Sequence, residues 1–261
     1  MQEKRIFADL AYGSDHPRHR LDVMLPEGNS PFPVVVAVHG GAWRGGDKQS
    51  MLPYGRLFAE AGMATVMPNY RLTTTHPHPA QEEDIISVLD WIGARAAAYE
   101  LDSGRVGFTG SSAGGHLSAQ VGLKATRVHH PCRIRCMVPV SGIFDFATWV
   151  REMPHARGEV EPLLGGRVEQ KPELLREISP LTHVHRNAPA CMALHGEADD
   201  DVPCSQTLQF VAALGGAGCD ATARIVPGLG HVAFQRRGDG MLEPLGGLSK
   251  FISFFEKHLL Q

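Results

Sequence analysis

The chain has few cysteines, little net charge and no long apolar run, and each shortage removes a class of protein. Its five cysteines, at 132, 136, 191, 204 and 219, are odd in number and none stands in a Cys-x-x-Cys pair. A disulfide framework is therefore not expected, and a reduced, cytoplasmic setting fits best. Cys132 and Cys136 lie near His129 and His130, but their spacing matches no common zinc pattern, so no metal site is expected. The net charge is −3 with no polybasic run, which argues against a nucleic-acid footprint and an electrostatic membrane anchor. No stretch reaches the ~18–20 apolar residues of a membrane span. The first residues, Met-Gln-Glu-Lys-Arg-Ile-Phe, contain no apolar core of a secretory signal.

What remains is ordinary for a soluble enzyme: 261 residues, 43% hydrophobic and 20% charged. A chain of this length buries about 70–75% of its unfolded surface. Apolar runs alternate with helical patterns, the signature of a mostly parallel sheet covered on both faces. Strands are expected at Arg5–Tyr12, His19–Leu25, Pro33–Val38, Ala64–Pro68, Arg105–Thr109, Arg133–Val140, Ala190–His195 and Ala221–Val226. The first two should form an antiparallel edge. Val34 to Val38 shows no polar alternation, as in a strand buried on both faces. Helices are expected over Met51–Gly62, Gln81–Glu100, Ala113–Ala125, Ser205–Leu214 and Gly247–Leu259. The segment from Phe144 to about Pro180 breaks the alternation. It reads as an insertion within a single domain spanning 1–261, carrying Trp149 and Met153, and either contributes a small cap on the catalytic side or is a surface helical excursion without substrate contact.

The chemistry is concentrated in four short segments. Gly110-Ser111-Ser112-Ala113-Gly114 is a Gly-x-Ser-x-Gly, which describes a sharp strand-to-helix corner that projects a serine. Only Ser112 has glycines at both offsets, so it is preferred over Ser111. His39-Gly40-Gly41-Ala42-Trp43, His195-Gly196-Glu197-Ala198-Asp199 and Pro227-Gly228-Leu229-Gly230-His231 each follow an apolar run. They stand where open α/β sheets gather their ligands and catalytic groups. The order is serine, acid, histidine.

With those residues in view, the chain resembles the esterase/lipase superfamily of α/β-hydrolases. It is most similar to small bacterial carboxylesterases with an HGGxW motif, near hormone-sensitive-lipase-like and kynurenine-formamidase-like groups. The resemblance runs from the strand at Leu21 to the last helix. It implies a central sheet of about eight strands, with Ser112 as nucleophile, Asp199 as acid and His231 as base. Backbone donors from Gly40, Gly41 and Ala113 would form the oxyanion hole, and Trp43 would line the acyl or alcohol pocket, with a plain packing role as the alternative.

Asp199 has acidic neighbours in Asp200 and Asp201. The resemblance, through the family's His-Gly-x-x-Asp followed by x-x-Val-Pro, implies Asp199, with Asp201 as the alternative, and mutual repulsion would raise the pKa of one of the three. His39 and His195 read as structural hydrogen-bonders, and Arg71 as a paired cation supporting the loops. The reaction implied is hydrolysis of small carboxylic esters through an acyl-enzyme, with no cofactor and no nucleic-acid or membrane partner. The oligomeric state stays open, a homodimer included. Arylformamidase chemistry on N-formylkynurenine is the first alternative, and a non-catalytic, hydrolase-like ligand-binding protein is the second.

Overall fold

The computed structural model describes residues 5–231, 234–236, 242–244 and 248–261. Among them, eight strands form one sheet: β1 (Ile6–Ala11), β2 (Arg20–Met24), β3 (Phe32–Val38), β4 (Ala64–Pro68), β5 (Leu101–Ser111), β6 (Ile134–Val140), β7 (Ala190–Gly196) and β8 (Ala221–Val226). Their spatial order is β1-β2-β4-β3-β5-β6-β7-β8. β1 runs antiparallel to β2 and β2 antiparallel to β4, while every pair from β4 to β8 is parallel. Parallel neighbours require crossovers, and these are supplied by α1 (Leu52–Glu60), α2 (Ala80–Arg95), α3 (Ala113–Ala125) and α7 (Ser205–Gly216).

β3 shows why its valines do not alternate with polar residues. Val34, Val36 and Val38 face a core shared with α2, α3 and α7. Val35 and Ala37 face the opposite core, built with α1 and with α8 (Leu248–Leu259), including Phe58, Phe251 and Phe255. Period-two geometry sends alternate side chains to opposite faces, so a strand with helices on both sides must be apolar throughout.

Two elements depart from the sequence reading. The helix expected to Glu100 ends at Arg95. A 3-10 turn at Ala97–Tyr99 follows, and Glu100 takes a left-handed conformation (φ 56°). β5 starts four residues before the expected Arg105. Its pairing with β3 jumps from Pro33↔Asp102 to Val34↔Val106, so Ser103, Gly104 and Arg105 bulge out of register. A further antiparallel pair, β9 (Phe234–Arg236) and β10 (Leu242–Pro244), was not expected. Gly247, the expected first residue of the last helix, lies outside the described residues.

The segment between β6 and β7 carries three short helices: α4 (Phe146–Glu152), α5 (Ala156–Leu164) and α6 (Pro172–Glu177). Asp145 caps α4 by accepting from the N–H groups of Ala147 and Thr148. Gln206 of α7 anchors the start of the segment, since its side-chain oxygen accepts from Phe144 N (2.9 Å) and Asp145 N (2.8 Å). Arg71, expected to be a paired cation, donates to the buried carboxylate of Asp84 (2.8 Å) and to Glu83 (3.0 Å). This fixes the loop after β4 to the start of α2.

Candidate active site

β5 enters the corner at Ser111 and α3 leaves it at Ala113. Ser112 stands between them with φ 56° and ψ −122°, a backbone shape that costs a residue with a Cβ about 1–3 kcal/mol. The flanking glycines allow the tight approach. A Cβ on Gly110 would come within 2.5 Å of the carbonyl oxygens of Gly114 and Val38, and one on Gly114 would run into the Val38 carbonyl. The first N–H groups of α3 have no intrahelical partner. No side-chain cap from Ser112 satisfies them. The Ala113 N–H is one of these and belongs to the residue after the corner serine.

The loop after β3 packs directly against this corner. A Cβ on Gly40 would meet the Ser111 carbonyl oxygen at 2.7 Å, so only glycine fits there without displacing the corner. Gly41, Ala42 and Trp43 follow with φ of 119°, 51° and 57°. His39 holds the base of the loop. Its Nδ1 lies 2.8 Å from the Gly40 carbonyl oxygen, its ring stacks on Tyr70 at 4.2 Å, and Arg18 approaches its Nε2 at 3.3 Å. Burial drives its pKa down to about 4 against the opposing Gly40 hydrogen bond, so the ring is neutral at pH 7.

After β7, Asp199 is drawn inward while Asp200 and Asp201 stay exposed. The Asp199 carboxylate is wholly buried and accepts from several donors at once. His231 Nδ1 lies 2.9 Å from Oδ2 and 3.0 Å from Oδ1. The N–H groups of Val202 (2.9 Å) and Asp201 (3.1 Å) reach Oδ1. His195 Nε2 reaches Oδ2 at 3.0 Å. Burial opposes ionisation of Asp199, but hydrogen bonds from His195, His231 and Val202 outweigh it and hold its pKa well below the usual carboxylate range. The repulsion expected among the three adjacent acids does not raise the pKa of Asp199. Its charge is met by donors, and its acidic neighbours point to solvent.

His231 shows the complementary shift. Burial lowers its pKa, but the Asp199 hydrogen bond and charge, with smaller contributions from Asp201 and Glu159, raise it above the ordinary imidazole value. Facing a carboxylate, Nδ1 carries the proton, which leaves Nε2 as the basic nitrogen.

His195 is the structural hydrogen-bonder the sequence suggested, but its partnership with Asp199 was not legible there. Its Nε2 faces two acceptors, the Asp199 carboxylate and the Val202 carbonyl (2.8 Å), so Nε2 carries a proton. Its Nδ1 meets the Thr207 hydroxyl at 2.8 Å. Placement four residues before Asp199, at the end of a strand, was the available signal, but a histidine there reads equally well as a plain structural hydrogen-bonder.

Ser112, His231, Gly40, Gly41 and Ser111 open on one cavity of about 640 Å³, which Met51 and Tyr54 also line. Trp149 and Glu159, from the segment between β6 and β7, form part of its wall. Met153 is not among the lining residues. Trp43 must be corrected as well. It is fully buried and does not line the cavity. Its ring turns away from the loop and packs against Phe146 at 5.5 Å and Trp149 at 6.4 Å. No group of three or more metal-ligating side chains occurs among the described residues. None of the helices among them is long and apolar enough to cross a membrane.

The sheet order, the strained serine corner and the buried acid–histidine pair define an α/β-hydrolase fold. The chain belongs to the BD-FAE family, whose model matches residues 21–214. It is 30% identical to esterase LipC of Mycobacterium tuberculosis over 237 residues, covering 85% of this chain and 58% of LipC. It is also 30% identical to the probable carboxylic ester hydrolase LipM of the same organism, covering 78% of this chain and 50% of LipM. The chain thus spans little more than half the length of these relatives. Among solved structures, a truncated carbohydrate esterase from gut microbiota superposes with a TM-score of 0.85 at 25% identity, over 98% of this chain and 97% of the other. An inhibited esterase B from Lactobacillus rhamnosis shares the fold with a TM-score of 0.82 at 20% identity, over 98% and 89% of the two chains.

Proposed function

We propose that the protein is a serine carboxylesterase that cleaves small esters through an acyl-enzyme. The observation that carries this reading is the buried Asp199–His231 pair, 2.9 Å apart, opening on the same cavity as a serine held at a strained corner. His231 Nε2 takes the proton from Ser112 Oγ as the oxygen attacks the ester carbonyl carbon. Negative charge then develops on the carbonyl oxygen. The N–H groups of Ala113 and of the Gly40–Gly41 loop stabilise it, and each such donor is worth about 2.7–4 kcal/mol of barrier. When the tetrahedral intermediate collapses, the C–O bond to the alcohol breaks and His231 returns its proton to the departing alkoxide. Water, deprotonated by His231, attacks the acyl-enzyme. Collapse of the second intermediate expels Ser112 Oγ, which is reprotonated, and releases the acid.

Asp199 stays ionised throughout. Its depressed pKa keeps it a carboxylate, which holds the imidazole in the tautomer with a basic Nε2 and stabilises the imidazolium. The relatives named as esterases support an ester as the substrate. A cavity of about 640 Å³ supports a small-molecule substrate.

Hydrolysis of p-nitrophenyl esters of graded chain length, run beside N-formylkynurenine, tests the reading. Turnover of short esters, abolished in Ser112→Ala, supports it. Activity confined to the formamide, or ester turnover that survives Ser112→Ala, overturns it.

A further inference from the structure

The loop that would hold the oxyanion adopts a shape that its own backbone disfavours. Ala42 and Trp43 both sit at positive φ (51° and 57°), where a Cβ is poorly accommodated. Such conformations persist only where surrounding contacts over-determine them. Backbone bonds contribute, among them Thr73 N–H to the Trp43 carbonyl at 2.9 Å, and the contact made by the Trp43 side chain is a chain of two hydrogen bonds through His116. The Trp43 indole N–H donates to His116 Nδ1 at 3.1 Å, and His116 Nε2 lies 2.8 Å from the carbonyl oxygen of Ile178. An indole N–H only donates and a carbonyl only accepts. Both bonds therefore form only with a neutral imidazole protonated on Nε2. Burial favours that neutral form, pushing the pKa down to about 3 against the opposing Ile178 hydrogen bond.

His116 is well placed to connect three segments. It lies in the first turn of α3, and its own N–H donates to the Ser112 carbonyl at 2.9 Å. Its ring packs edge-on against Trp43 (5.3 Å) and Phe146 (4.9 Å). Ile178 closes the insertion that supplies Trp149 and Glu159 to the cavity wall. His116 and Trp43 are both buried and away from the cavity.

We propose that His116 is a positioning residue for the oxyanion hole: by fixing the Trp43 indole, it holds the Gly40–Trp43 loop against the serine corner and ties that loop to the insertion. This inference rests on the serine esterase reading. It assigns His116 no contact with substrate and no proton transfer. Its effect should fall on the transition state, because the loop N–H groups bind charge that develops only there.

The test compares His116→Phe, which keeps an aromatic ring but removes both hydrogen bonds, with His116→Gln, whose side-chain amide supplies one acceptor and one donor. Steady-state kinetics on a short p-nitrophenyl ester, the rate of Ser112 labelling by a fluorophosphonate and thermal unfolding are read together. Loss of a full oxyanion donor costs about 100–1000-fold in kcat. Displacement of the loop in His116→Phe should thus cost about 10–100-fold in kcat and in labelling rate, with KM changed less than about 3-fold. His116→Gln should recover most of that loss. Trp43→Phe, which removes the same indole N–H from the other side, should reproduce the kcat defect and serves if His116→Phe does not fold. A folded His116→Phe or Trp43→Phe with wild-type kcat, or with raised KM alone, overturns the proposal. If the wild-type enzyme neither turns over ester nor takes the label, the esterase reading itself has failed.

Discussion

His195 and His231 reach the same oxygen of one buried carboxylate. His195 Nε2 lies 3.0 Å and His231 Nδ1 2.9 Å from Asp199 Oδ2. One histidine faces the cavity, and the other is wholly enclosed between Val202 and Thr207. The enclosed ring supplies a donor that Asp199 would otherwise lack. This helps explain how a carboxylate can stay ionised in a site that water cannot reach.

Replacing His195 by Phe keeps an aromatic ring but leaves Asp199, the Val202 carbonyl and the Thr207 hydroxyl each short of a partner. A buried polar group left unsatisfied costs about 1–3 kcal/mol. Urea unfolding at pH 7 should show a loss of at least that size, together with reduced kcat. Unchanged stability would show that the shared carboxylate has no energetic weight.

Asp199→Asn should lower kcat by about 10⁴-fold, the loss typical when a triad acid can no longer hold the imidazole tautomer. Asp201→Asn should stay within a few-fold of wild type, because its side chain is exposed and only its backbone contacts Asp199. The reverse order would move the acid to Asp201.

The pH dependence follows from the direction of each shift. His231 titrates above the ordinary imidazole value of about 6.5, so kcat/KM should fall as pH drops through that raised midpoint. Because Asp201 and Glu159 both push the midpoint up, Asp201→Asn and Glu159→Gln should each move the acid limb to lower pH. Stability changes in the opposite sense for the two partners. The raised pKa of His231 stabilises the fold at low pH, and this contribution is lost as pH rises through the folded midpoint. The depressed pKa of Asp199 stabilises the fold above about pH 3.9, and this contribution is lost as pH falls toward the folded value. A pH–rate profile with a midpoint below about 6.5 would contradict the upward shift of His231.

Trp149→Ala should both widen the cavity and destabilise the protein. The sequence alone places Trp149 in a cap contribution on the catalytic side. Trp149, however, is 1% exposed and packs on Trp43 and Phe146, and its indole N–H donates to the Asp201 carbonyl. Truncation of a buried tryptophan costs about 3–5 kcal/mol. A ratio of hexanoate to acetate turnover that rises while Tm falls is the expected pair of results. A shift in chain-length preference without loss of Tm would contradict the packing role.

The sheet was legible because its signals are local and strong. Val34 to Val38 can only be a doubly buried strand, and Gly110 to Gly114 describes a corner with little freedom. The end of α2 was not legible, since Ala96, Ala97 and Ala98 are good helix formers and Glu100 carries no stop signal. The early start of β5 was hidden because Asp102, Ser103 and Gly104 read as a turn, whereas a bulge lets them join the sheet. Trp43 was misread because the motif gives its position in the loop but not the direction of its side chain, which depends on Phe146 and His116 from distant segments. The link between His195 and Asp199 depends on Asp199 turning inward to collect backbone donors, a loop geometry that spacing does not encode.

Labelling the folded protein with a fluorophosphonate and mapping the modified peptide tests the central claim most directly. A single adduct on Ser112 is predicted, absent from Ser112→Ala and retained in Ser111→Ala. An adduct on Ser111, or ester turnover by a protein that takes no label, would contradict it.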